Sequence, residues 1–521
     1  MNKRKSLIPA LVLALVSVVS YLPAFSQEKE TANYLGKASF SKEKRTAFEY
    51  LSERDVYEKF GNISDSIWGF AELGMQEFKS SSLLIRTLET EGFTVEKGVA
   101  GMPTCFVATW GSGKPVIGIL GEYDALPMIS QKALTSVKAP VIDGAPGHGC
   151  GHNLMGTAGS AAAIAVKKAM EKHGIKGTIK FFGSPAEETV ISRPYMVRAG
   201  IFNDVDAVID NHASTGLSTN YGVEGNAVIS VLFTFRGQTA HSAGAPWSGR
   251  SALDAVEIMN VATNYLREHL FYTYRMHYVI TEGGEAPNVV PDKATVWYYI
   301  RNTDERMDDM YKRVIDCARG AALATGTTLD TVRVITGVHQ KHINRALAET
   351  LQRNMELTGM PEWTEEEDAF ARALQKTLGA KEDGYSKKVN KLSAPSGIQV
   401  GGGSTDVGEV SLIAPTATVY FPGGVPGMIG HHWSAVASYY GSAAWKGLNT
   451  GAKVMAGTAI DLLTDEKLLR NIKEEFTRYS KDHPYKSFLP ANASPPLDLN
   501  KDLMDRFRAA ALKESGASPD H

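Results

Sequence analysis

Cysteine is scarce: the 521-residue sequence holds three, Cys105, Cys150 and Cys317. Three thiols allow one bridge at most, which excludes a disulfide-built scaffold even in an oxidising compartment. A surplus of one charge sign is missing as well, since 55 Lys and Arg face 57 Asp and Glu for a formal net charge of -2. That balance lacks the basic footprint with which proteins grip nucleic acid, so no nucleic-acid partner is expected. Beyond the opening residues no stretch is apolar enough to cross a bilayer, which takes about 20 residues, and internal repeats are absent. These absences leave a large globular chain suited to small-molecule chemistry.

The opening residues read as an address. Lys3, Arg4 and Lys5 precede an apolar run over residues 7–19, and the small residues Ala24 and Ser26 frame a cleavage point before Gln27. That is the pattern of a secretory signal over residues 1–26, and it predicts export to the periplasm or beyond the cell, with no membrane attachment after cleavage. A retained anchor is the alternative, but the run is short for a span. If Cys150 is a metal ligand, Cys105 and Cys317 are left over and are expected to be buried free thiols rather than a bridge.

The remaining length exceeds one ordinary domain of roughly 100–200 residues, so two are expected. Apolar residues recur at helical spacing over residues 48–60 and 80–91, with Gly92 ending the second helix. Short β-branched runs at 116–120, 178–182 and 207–209 then alternate with helical patterns at 155–170 and 195–199, as in an α/β domain with a mostly parallel sheet. From about residue 225 the character changes to strand 227–235, helix 252–270, strand 294–300, helix 307–324 and strand 330–335, an inserted α+β unit. Helix and then strand 417–421 follow, so the expected layout is a catalytic α/β domain over 42–224 and 343–521, interrupted by 225–342. Residues 380–400 read as loop, ahead of the glycine cluster at 401–403.

Residue types that suit a metal fall where the predicted strands end. Strand 116–120 leads into Glu122-Tyr123-Asp124, 178–182 into Glu187-Glu188, 207–209 into Asn211-His212, and 417–421 through a Gly/Pro loop to His431-His432. Carboxyl ends of strands line the ligand crevice of an open α/β sheet, so these groups are expected to converge. The sharpest local signal is Gly147-His148-Gly149-Cys150-Gly151-His152-Asn153 before a helix. Its glycines let the backbone close on an ion, thiolate and imidazole suit zinc and related metals, and Asn153 can cap the helix. Adjacent Glu187 and Glu188 let one carboxylate bind metal while the other takes a proton from water activated by the cation. Against this stand the plainer readings of a packed thiol with a surface imidazole and of an exposed acidic pair, together with a rival Cys–His nucleophile. That rival leaves the paired acids and the two distant histidines unexplained.

Glu122-Tyr123-Asp124-Ala125-Leu126-Pro127, the His148–Asn153 run, Glu187-Glu188 and Gly249-Arg250-Ser251-Ala252-Leu253-Asp254 together resemble the aminoacylase and glutamate-carboxypeptidase superfamily of di-metal hydrolases, and within it the branch of the B-type p-aminobenzoyl-glutamate hydrolase polypeptides. The resemblance implies two divalent ions, zinc or manganese, bridged by Cys150 and completed by His152, Glu188, His212 and His431. It makes Glu187 the general base and then the acid, and Asp124 the group that orients a ligand histidine. Glu122 stands where many members have a metal histidine and is not assigned as a ligand; His432 is left open beside His431. The insertion resembles the family's lid and dimer interface. On it His241, Asn288 and Arg301 match residues that bind the substrate carboxylate and the developing oxyanion. Gly402 and Gly403 match a substrate-side glycine loop, though a simple turn would explain them too.

The expected activity is hydrolysis of an amide bond in a small N-acyl amino acid, with p-aminobenzoyl-glutamate or a related folate fragment implied by the resemblance alone. An N-acyl-amino-acid hydrolase or dipeptidase of other specificity remains open, as does a secreted binding protein that keeps the fold without catalysis. The expected assembly is a homodimer, or a heterodimer with a related subunit.

Overall fold

Six strands that are far apart in sequence make the larger sheet of the computed structural model, which describes residues 40–394 and 402–515. The expected signal over 1–26, the last part of the 380–400 loop and Gly401 lie outside the described residues. The strands, in chain order, are β1 (Thr94–Lys97), β2 (Phe106–Ser112), β3 (Val116–Gly121), β4 (Gly177–Gly183), β5 (Ala207–Ser214), β6 (Gly222–Glu224), β7 (Ala227–Arg236), β8 (Arg275–Glu282), β9 (Lys293–Asn302), β10 (Thr328–Val338), β11 (Lys341–Ile343) and β12 (Thr416–Pro422). The larger sheet runs β1-β2-β4-β3-β5-β12. Its β4, β3, β5 and β12 are parallel neighbours, while the β1–β2 and β2–β4 pairs are antiparallel.

Successive residues of the central strands feed two cores. Ile117, Ile119, Ile179, Phe181 and Ile209 join one apolar cluster, while Leu120, Phe182 and Val208 join another. Side chains alternate across a strand, so a sheet buried on both faces reads as a continuous apolar run, which is why 116–120 stands out in the sequence. The helix His152–His173 lies tightly over β3 because its small residues permit it. A Cβ on Gly156 would stand 2.5 Å from the Glu122 carbonyl oxygen, and one on Gly159 would stand 2.8 Å from that of Leu120.

The second sheet, β10-β7-β9-β8, is antiparallel throughout and carries the helices Ala252–Leu266 and Asp304–Thr325 over a core of its own. Ala227, Ile229, Val231, Phe233 and Phe235 point alternately into that core. The short pair β6–β11 joins the chain on its way into and out of this unit. The architecture is therefore the expected α/β sheet with an inserted α+β layer.

Several local expectations change. The helix expected over 48–60 is two, Lys42–Ser52 and Arg54–Phe70, separated at Glu53, which has an extended ψ of 132°. Ser52 Oγ bonds back to the Phe48 carbonyl at 2.8 Å, a local competitor to helix continuation. The helix expected over 252–270 stops at Leu266 and tightens into a 3-10 turn, Arg267–His269. Strands β1, β2 and β8 were not anticipated; β8 is an edge strand, exposed over much of its length, and lacks the apolar run that marks a buried strand. Cys105 and Cys317 are both free, Cys105 buried and Cys317 half-buried. Among the described residues no helix is long and apolar enough to cross a membrane.

Candidate metal and hydrolytic centre

The turn before the helix His152–His173 brings the site's first two side chains together. Gly151 is required there, with φ +84° and Ala213 Cβ 2.6 Å from the place a Cβ would take, and Gly149 lets the His431 backbone come close, its Cα 3.3 Å from where a Cβ would stand. Cys150 thus reaches β5, its Sγ 3.4 Å from His212 Nε2. His212 lies inside β5, which runs on to Ser214, and its Nδ1 meets the Ala213 carbonyl at 2.7 Å. An Nδ1–H donated to that carbonyl leaves the Nε2 lone pair directed at Cys150.

Asp124 holds two further elements in place. Its Oδ1 lies 2.8 Å from His152 Nδ1, and its Oδ2 accepts the Glu188 backbone N–H at 3.0 Å. Burial opposes ionisation of this carboxyl, but the neighbouring His152 and the hydrogen bonds outweigh it and hold the pKa below its ordinary value. Glu187 and Glu188 occupy a 3-10 turn after β4, entered through Ala186 at φ +56°. His431 sits in the left-handed region at φ +56°, its backbone N–H donated to the Gly149 carbonyl at 3.1 Å and its Nε2 3.4 Å from Glu188 Oε2.

The result is two triplets, Cys150/His152/His212 and Cys150/Glu188/His431, each with its donor atoms within 4.8 Å of one another and sharing one sulfur. A third triplet, Glu122/His152/Glu187, adjoins them. The donor set of thiol, imidazole and carboxylate suits a divalent transition metal, and the buried His152 Nε2 and Glu188 Oε1 have no hydrogen-bond partner in the protein. Burial pushes Glu188 up to about 8 and Glu122 to about 7, and burial with Glu122 raises Glu187 well above the carboxylate range. Cations at the triplets would relieve this crowding of buried acids. Burial lowers His212 to about 4 and also lowers His431, so both imidazoles are neutral and able to ligate at neutral pH. The rival thiol nucleophile finds the wrong setting: burial and then Glu188 push Cys150 up to about 12, whereas an activated thiol needs a depressed pKa.

Two sequence readings change here. Asn153 does not cap its helix; the cap is Gly151, and the Asn153 amide donates to Ser64 Oγ at 3.0 Å and the Tyr439 carbonyl at 2.9 Å. The helix starts two residues too early for Asn153 to be its cap. His432 is the N-cap of the helix Trp433–Ser438, its ring accepting from the Ser434 N–H, so of the two adjacent histidines it is His431 that joins the cluster.

The remaining residues divide into two places. Arg301, at the end of β9, donates from Nη1 to Ser404 Oγ at 2.6 Å, with its guanidinium 5.3 Å from the Tyr299 ring. The Gly402 and Gly403 carbonyls accept from Asn226 Nδ2 and N, both at 3.0 Å. His241 and Asn288 lie together on exposed loops, where His241 bridges Val289 and the Asn288 carbonyl accepts from Ser242 N. Among the described residues neither has a hydrogen bond or ion pair with the cluster; His241 Nδ1 accepts from Ala243 and Gly244 of its own turn. Sequence reasoning passed over Arg193, which is fully buried and ion-paired with both Glu122 and Asp406. A lone Arg before a Pro carries no pattern that would mark it.

Fold and cluster together define a hydrolase scaffold of the metallopeptidase class. The chain belongs to the peptidase family M20/M25/M40, whose profile matches residues 118–516. It is 38% identical over 465 residues to the B-type polypeptide of p-aminobenzoyl-glutamate hydrolase from Escherichia coli K12, covering 84% of this chain and 96% of that protein. It is 30% identical over 448 residues to the Xaa-Arg dipeptidase of Mus musculus, covering 83% and 92%. The solved aminobenzoyl-glutamate utilization protein of Klebsiella pneumoniae shares the fold at a TM-score of 0.55 and 17% identity, over 80% of this chain and 98% of that one. The chain is accordingly an enzyme that hydrolyses amide or peptide bonds.

Proposed function

We propose that the protein is a two-metal amidohydrolase that cleaves the amide bond of an N-acyl amino acid with an acidic side chain, p-aminobenzoyl-glutamate or a related folate fragment. The observation that carries this reading is the pair of triplets sharing Cys150; the relatives' names point to the substrate. Cys150, His152 and His212 would hold one ion and Cys150, Glu188 and His431 the other, zinc or manganese. When bound, the ions supply Lewis acidity to the amide carbonyl and acidify water. Glu187, which belongs to neither Cys150 triplet and lies 3.7 Å from His152 Nε2, takes the proton from the attacking water and delivers it to the leaving nitrogen. Asp124 fixes the ring of His152, and Arg301 with the Gly402–Ser404 turn holds the substrate carboxylate by charge-assisted hydrogen bonds.

Residues 225–342 act as a lid in this reading, and His241 and Asn288 on its exposed loops serve the oxyanion when a second subunit or lid movement brings them to a site. The partner is a second copy or a related subunit. The first 26 residues direct export, so N-terminal sequencing of the mature protein should begin at Gln27.

Metal analysis of protein purified without added metal, with activity measured before and after chelation, tests the core of the reading: about two ions per chain and activity restored by zinc or manganese are expected. Glu187→Ala should lower the rate by about 10²–10⁴-fold while metal content holds; wild-type turnover in that variant removes the assigned base. A panel of acyl-glutamates, neutral acyl-amino acids and Xaa-Arg dipeptides decides specificity, and no preference for glutamate ends the folate-fragment reading.

A further inference from the structure

The chemistry above makes no use of Arg193, whose side chain is completely buried beside it. It stands on the helix Ser192–Arg198, and its guanidinium meets Glu122 Oε1 at 2.8 Å and also Asp406 Oδ1. The Arg193 backbone N–H donates to Asp406 Oδ2 at 3.0 Å, and Ser192 Oγ reaches the same oxygen at 3.2 Å. Both carboxylates border functional ground. The other oxygen of Glu122 is 3.3 Å from His152 Nε2 and has no hydrogen-bond partner of its own. Asp406 ends the segment that begins Gly402-Gly403-Ser404, where Ser404 receives Arg301. That segment is fastened at its other end by Asn226, and Gly225 permits the approach: at φ +73°, a Cβ there would stand 2.8 Å from the Gly403 carbonyl oxygen.

We infer that Arg193 is a positioning residue that holds the 402–406 turn at a set distance from the Cys150–His152 cluster, through Asp406 on one side and Glu122 on the other. The inference rests on the reading of Arg301 and the turn as the carboxylate anchor. A substrate fixed by its carboxylate presents its amide carbonyl to the cluster only if anchor and cluster keep one spacing. A buried guanidinium hydrogen-bonded to Asp406 and ion-paired with Glu122 ties the two carboxylates to one spacing, which a packed apolar side chain does not. Misplacement of an anchor by about 1 Å is enough to cost productive binding.

Asp406→Asn keeps the shape of the side chain and an oxygen for Ser192 and the Arg193 N–H, while removing the charge that grips the guanidinium. For an acyl-glutamate the expected result is a kcat/KM lowered about tenfold. Metal content should be unchanged, and so should kcat/KM for an acyl amide that lacks the α-carboxylate. Hydrogen exchange should show residues 402–411 less protected, with 152–173 unaffected. A fall in melting temperature with kcat/KM unaltered, or an equal loss on both substrates, overturns the inference. If the wild-type protein cleaves no acyl-amino acid, it is the proposed function that fails. Exchange in the metal-loaded variant then decides alone, a loosened turn sustaining the positioning role and an unchanged one ending it.

Discussion

Asp124 is the residue on which the cluster's geometry turns, because one carboxylate orients His152 and also receives the backbone of Glu188. Asp124→Asn would present an amide N–H to one of these donors and lose the charge that fixes the His152 ring. The expected effect is a loss of about 10–100-fold in metal affinity or activity, measured by competition with a chromogenic chelator. Exchanging the sulfur shared by both triplets should have a different signature: Cys150→Ser should lower the occupancy of both positions, whereas His212→Ala should empty one, as elemental analysis would report. The side chains of the two triplets were legible in the sequence because Glu188, His212 and His431 lie at or beyond the ends of apolar strand runs, and Cys150 and His152 stand in a glycine-rich turn just before a helix. The pairing of Arg193 with Glu122 and Asp406 was not. Ion pairs between such distant residues depend on which segments the fold makes adjacent, and a single charged residue leaves no periodic trace.

Helices and strands buried on both faces were read correctly, and their edges were not. The helix expected over 155–170 begins at His152 and ends at His173, because the Gly151 and Gly174 caps, both left-handed, lie outside the apolar pattern used to find it. Close packing of elements gives a sharp test in the helix Gly441–Thr464, where a Cβ on Gly447 would fall 1.4 Å from the Pro422 carbonyl oxygen at the end of β12. Gly447→Ala should therefore destabilise the protein at or beyond the upper end of the ~1–3 kcal/mol typical of overpacking, seen in the thermal midpoint. A second test lies just after β10. His339 Nδ1 lies 2.5 Å from Glu409 Oε1, Tyr485 donates to the other oxygen of Glu409, and the imidazole stacks on Phe488. Burial favours the neutral ring, but the Glu409 bond and charge prevail and raise its pKa. Stabilisation from a raised histidine is complete below the unfolded value of about 6.5 and is lost as pH climbs through the folded value. His339→Gln should thus lower the melting temperature more at pH 6 than at pH 9, and an equal drop at both would refute the assignment.

At the scale of the molecule, the inserted unit exposes apolar side chains that the catalytic sheet does not cover. Val261 and Tyr265 are 53% and 77% exposed on the helix Ala252–Leu266, and Val279 and Ile280 are 57% and 46% exposed on the edge strand β8. Under the proposed assembly this surface is the subunit contact. If the proposed assembly is right, Val261→Asp with Tyr265→Asp should convert the particle to a monomer on sizing. A monomeric wild type would instead locate the partner in another polypeptide. The broad architecture was legible because a parallel sheet and an antiparallel one alternate their apolar residues differently. Strand order was not, since β12 takes its place beside β5 from some two hundred positions further along the chain. That placement has a consequence for biogenesis. Until Thr416–Pro422 has left the ribosome, the backbone of β5 presents an unpaired, apolar border to its surroundings. A nascent or prematurely terminated polypeptide is then poised to aggregate, and holdase chaperones should engage it in this interval.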